Sequence, residues 1–126
     1  MRREGTNEED VKMGDVLCDF CHRGWSEDQP MLEGHQGSCI CGRCLTVAYR
    51  EVVLSGTTSG IRNYTCPMCL EGEFDREALG RIDEPSWQSP AWPDAVICRR
   101  CIKLAAGALH KDPDYQWKKP QPEESA

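Results

Sequence analysis

The sequence predicts a small α+β fold, stabilised by metal and built as two tandem modules. Three observations carry that expectation. Eight of the nine cysteines fall into C-x-x-C pairs, the 126-residue chain repeats itself once around those pairs, and each repeat closes on a helical apolar pattern. Hydrophobic residues make up only 39% and mean hydropathy is −0.62. Modules of roughly 40–60 residues with so thin an apolar supply need disulfides or a metal.

Taken in order, residues 1–15 read as a flexible segment. Two arginines open it, but no apolar stretch follows them, so the pattern is not that of a secretion signal. No run approaches the roughly 18 apolar residues of a membrane span. A cytoplasmic location is therefore expected, where thiols stay reduced and paired cysteines read as metal knuckles. The first module, residues 16–54, carries the knuckles Cys18/Cys21 and Cys41/Cys44. A polar linker covers 55–63. The second module, 64–111, carries Cys66/Cys69 and Cys98/Cys101, with a longer loop rich in tryptophan and proline between them. The tail, 112–126, reads as flexible, with Tyr115 and Trp117 either a docking motif or folded back on the body.

Around their knuckles the two modules align residue by residue. "LCDFCHRG" aligns with "TCPMCLEG", each with a glycine three places after the second cysteine, Gly24 and Gly72, where a positive φ is expected. "CICGRCLTVA" aligns with "VICRRCIKLA". The ninth cysteine, Cys39, falls opposite Val96, so it reads as a small buried apolar residue rather than a ligand. His22 falls opposite Leu70, His35 lies in a glycine-flanked turn, and His110 closes the second helix; none reads as a ligand. Behind each second knuckle the apolar residues have helical spacing: Leu45, Ala48, Val52 and Val53, then Ile102, Ala105, Ala108 and Leu109. Cys44 and Cys101 then sit in a first helical turn, where the dipole favours a thiolate. Knuckle, short hairpin and helix together make a treble-clef arrangement.

These residues, "CDFC", Gly37, "ICGRC" and the helix behind it, resemble the zinc-binding domain of ClpX-type unfoldases over residues 16–54. A looser second copy covers 64–110. In that family the module is a structural zinc site that dimerises through apolar surface and recruits protein partners. By position, the resemblance implies one Zn²⁺ at Cys18, Cys21, Cys41 and Cys44, and a second at Cys66, Cys69, Cys98 and Cys101. No phosphate loop occurs, so the unfoldase's ATP chemistry does not carry over.

The expected function is that of a non-catalytic zinc-binding protein-interaction module, an adaptor or assembly subunit. A four-thiolate site leaves no position for an activated water, and three scattered histidines supply no general base. A protein partner is expected, with Trp87 and Trp92 in the long loop as candidate contacts, although tryptophans there more readily cover a small zinc module in place of a missing core. The two helices are expected to pair as an intramolecular pseudo-dimer, or else between copies in a homo-oligomer. Nucleic acid is disfavoured. The formal charge is −6, and two four-thiolate zinc sites take it near −10, whereas nucleic-acid binders present a basic face. The alternative is a RING-like cross-brace acting in modifier transfer, in which pairs one and three share one zinc and pairs two and four the other. Iron in rubredoxin-like loops fits only "CPMC".

Overall fold

In the computed structural model, which describes residues 1–122, both first knuckles close through the same two backbone bonds. The Cys18 amide donates to Arg23 O and the His22 amide to Cys18 O; Cys66 and Leu70 repeat this with Glu71 O and Cys66 O, all at 2.7–3.0 Å. So tight a turn drives the residue after the second cysteine into left-handed backbone, His22 at φ 60° and Leu70 at φ 65°. The positive φ expected at Gly24 and Gly72 is therefore displaced two residues upstream. Gly24 answers a different constraint: a Cβ there would sit 3.0 Å from Arg3 Nη2 and 3.3 Å from Gly14 O.

Each module then forms one antiparallel hairpin. In the first, β1 (Met31–Glu33) pairs with β2 (Cys39–Cys41), placing Leu32 opposite Ile40. In the second, β3 (Ser86–Gln88) pairs with β4 (Val96–Cys98), placing Trp87 opposite Ile97. A proline precedes each first strand. Its carbonyl accepts the first helical amide, Gly42 N to Pro30 O at 2.8 Å and Arg99 N to Pro85 O at 3.1 Å. Those bonds dock the helices against their own hairpins.

Helix α1 (Gly42–Ala48) continues through a π-helical stretch, Tyr49–Leu54, while α3 runs Arg99–Lys111. Leu45, Ala48 and Val52 are buried along α1, and Ile102, Ala105, Ala106 and Leu109 along α3. Ala106, not the expected Ala108, belongs to the buried stripe; Ala108 is exposed. The long loop of the second module holds the short helix α2 (Glu73–Ala78). It starts after Gly72, whose amide donates to the Asp75 carboxylate at 2.9 Å.

The two modules share one core. Helix α3 packs on α1 and its π-helical continuation, joining Ile40, Leu45 and Val52 to Ile97, Ile102 and Leu109. Two further contacts between modules are reciprocal. Ser89 Oγ donates to Phe20 O in the first knuckle, and the His35 amide donates to Met68 O in the equivalent place of the second, at 3.1 Å. Ser89 and His35 both lie just past the first strand of their hairpins. An isologous interface has this pattern. Gly34 makes the approach possible, since a Cβ would lie 2.8 Å from Met68 Cα and O.

Both segments expected to be flexible make defined contacts. Residues 1–3 run beside 15–17, with Leu17 N to Met1 O and Arg3 N to Asp15 O both at 2.7 Å. The tail folds back: Trp117 Nε1 donates to Gly42 O and Thr46 Oγ1, both at 3.0 Å, and Trp25 Nε1 donates to Tyr115 Oη at 3.4 Å. Residues 123–126 of that expected tail lie outside the described residues. The linker is polar as read, but it also covers the β3 edge, with Ser59 N donating to Ser86 O at 2.9 Å. Among the described residues no helix is long and apolar enough to cross a membrane.

Candidate metal centres

Each module gathers its own four cysteines. The sulfurs of Cys18, Cys21, Cys41 and Cys44 all lie within 4.8 Å of one another, as do those of Cys66, Cys69, Cys98 and Cys101. Cys18 and Cys44 Sγ lie 3.9 Å apart, Cys21 and Cys41 Sγ 3.7 Å, and Cys69 and Cys98 Sγ 3.9 Å. A tetrahedral zinc with Zn–S near 2.3 Å requires sulfurs about 3.8 Å apart, so both donor sets fit that ion. The grouping is sequential. The interleaved pairing of the cross-brace alternative is overturned, because Cys18 and Cys21 meet Cys41 and Cys44, not Cys66 and Cys69.

Local backbone prepares the sulfurs for negative charge. The amides of Phe20 and Cys41 both donate to Cys18 Sγ at 3.3 Å, and the Cys44 amide donates to Cys41 Sγ at 3.4 Å. Cys41 is thereby the N-cap of α1, its sulfur filling the role usually taken by a serine or aspartate oxygen. As thiols the four share protons unevenly. Hydrogen bonds from Cys18 and Cys44, aided by the Cys44 amide, bring Cys41 down to about 4, while the same bonding pushes Cys44 well above the thiol range. In the second site, hydrogen bonds from Cys101 and Cys98 lower Cys66 to about 2. Cys98 accepts from Cys101 yet rises to about 12, because it bonds to Cys66 and is buried. Zinc, when bound, holds all four sulfurs as thiolates and ties the knuckle to the start of the helix.

Other residues singled out from sequence fall outside both sites. Cys39 is 2% exposed, like its counterpart Val96, and burial pushes its thiol up. His35 is exposed, and His110 Nδ1 accepts the Lys119 amide at 3.0 Å. His22 stacks on Trp92, with centroids 3.8 Å apart and planes 12° from parallel. Trp92 is exposed, but Trp87, expected as a partner contact, is buried at 5% and packs on Phe20 at 5.9 Å. A small zinc module lacks other large side chains to fill its centre, so the tryptophan in its hairpin does so.

Sequence reading also missed Arg76, buried at 2%. Its guanidinium donates to Glu71 O at 2.7 Å and to Arg62 O and Tyr64 O at 2.8 Å, and lies 3.7 Å over the Tyr64 ring. It pins α2 to the second knuckle. The signal available was one of two arginines, Arg76 and Arg81, inside a loop that needed anchoring, and nothing in its spacing marks that role.

Residues 16–52 match the family described as the ClpX C4-type zinc finger. No curated protein matches the chain, and no solved structure does. By that match and by this geometry the first module is similar to the ClpX C4-type zinc finger, and the chain adds a second four-cysteine zinc site behind it.

Proposed function

We propose that this chain is a non-catalytic protein-interaction module, an adaptor or assembly subunit held in shape by two structural zinc ions. The observation that carries the reading is closure. Each ion's four positions are filled by cysteines of its own module, which leaves no open position for substrate or activated water. Support for interaction comes from the surface, where Phe74 is 82%, Leu104 64%, Leu79 61% and Trp92 46% exposed. Paired helices α1 and α3 stand where the resembling family dimerises, so the chain acts as its own pseudo-dimer and presents its outer faces to other proteins. A cytoplasmic setting fits eight thiols reserved for metal.

The test is recovery of the tagged full chain from its own cells at native abundance. A protein held in stoichiometric amount by the parent chain, and lost by Phe74→Asp or Trp92→Asp variants that keep two zinc ions, is the expected result. A chain recovered alone that turns over a small molecule in a zinc-dependent manner overturns the reading.

A further inference from the structure

The two modules differ where their repeat should make them alike. In the second knuckle, Glu71 holds a half-buried carboxylate among arginines. Arg81 Nη2 meets its Oε2 at 2.7 Å and Arg100 Nη2 lies 3.6 Å from its Oε1. In the first module the place of Glu71 is taken by Arg23 and the place of Arg100 by Arg43. The backbone there is the same, since Arg23 O and Glu71 O accept the equivalent cysteine amide at 3.0 Å. Only the charge is inverted. Arg23 and Arg43 are exposed, and neither ion-pairs with a carboxylate among the described residues.

Both arginines line one groove of about 220 Å³, formed between the modules. Its walls include Val47 from α1 and Pro90 and Ala91 from the second module's hairpin, with Trp87 at its floor. Val47 is 42% exposed, so the groove offers apolar surface to an incoming chain. Two cations without a carboxylate partner select an acidic group over a basic one by charge complementarity, and the apolar walls beside them strengthen a charge-assisted bond by lowering the local dielectric.

We infer that this groove binds a carboxylate-bearing apolar segment of a protein partner. The partner's Asp or Glu meets Arg23 and Arg43 at the groove, as Glu71 meets Arg81 and Arg100 in the second module, and its apolar side chains lie on Val47, Pro90 and Ala91. This inference rests on the interaction reading above and names the chemistry of the partner.

The test uses the zinc-loaded full chain and a fluorescein-labelled octapeptide of alternating leucine and glutamate, read by fluorescence anisotropy. Leucine/glutamine and leucine/lysine octapeptides are the comparisons. The acidic peptide binds, and Arg23→Gln or Arg43→Gln each weakens it by about tenfold, the value of one charged hydrogen bond. Lys111→Gln, outside the groove, leaves binding unchanged. Zinc counts by native mass spectrometry confirm that each variant is intact. Equal binding of the acidic and basic peptides, or arginine variants that bind as the parent does, overturns the inference. So does an arginine variant that loses its zinc, which assigns the cations to the metal site. In either case a partner that still depends on Phe74 or Trp92 leaves the interaction reading standing.

Discussion

At the scale of single residues, the repeat exposes a cost carried twice. His22 and Leu70 hold φ near +60°, a conformation that costs a non-glycine residue roughly 1–2 kcal/mol. Leu70 is 40% exposed and contributes little packing in return. Leu70→Gly is expected to stabilise the chain by about 0.5–1 kcal/mol, the relieved strain less the extra freedom of glycine in the unfolded state. Urea unfolding of the zinc-loaded protein checks this, and a loss of stability contradicts it. Cys39 is the second case. Its burial matches that of Val96, so Cys39→Val is expected to change stability by less than about 1.5 kcal/mol. The variant keeps two zinc ions by mass spectrometry; loss of the first ion would make Cys39 part of that site.

Among the elements, α2 depends on a single side chain. Six residues cannot sustain a helix in water, and the exposure of Phe74 and Leu79 shows that apolar burial does not hold it. Arg76 does, by bonding to Arg62 O and Tyr64 O on one segment and Glu71 O on the second knuckle. Arg76→Met keeps the apolar stem but removes three charge-assisted bonds; Glu71 O and Arg62 O keep the amides of Cys66 and Tyr64, while Tyr64 O loses its donor. A loss of about 2–3 kcal/mol is expected, the value of one hydrogen bond to a charged group together with the desolvated Tyr64 carbonyl. Amide hydrogen exchange should show faster exchange across 62–79, while the first module remains protected.

For the whole molecule, metal binding and core formation are organised differently. Each zinc site draws on one module, whereas the core is common to both. Fragments 14–56 and 62–112, produced separately, are therefore each expected to hold one zinc ion. Both should be less stable than the intact chain, because the facing stripes of α1 and α3 lose their partner. Mixing them should restore stability through the Phe20–Ser89 and Met68–His35 contacts. Native mass spectrometry and thermal melts check this, and fragments as stable as the full chain would show that the shared core contributes nothing.

Spacing alone determined much of this protein: four knuckles, their division into two units, a helix behind each second knuckle, and a buried role for Cys39. These are local properties, set by the few residues that can turn a backbone around a metal and by the period of a helix. The tertiary structure decided what depends on neighbours distant in sequence. It chose core over contact for Trp87, and brought Ser89 to Phe20 and His35 to Met68. It also set Arg23 and Arg43 on one groove and gave Arg76 its three carbonyls. Each of these follows from one module packing against another or from a loop closing on itself, and the residues concerned carry no periodic mark that the sequence could display.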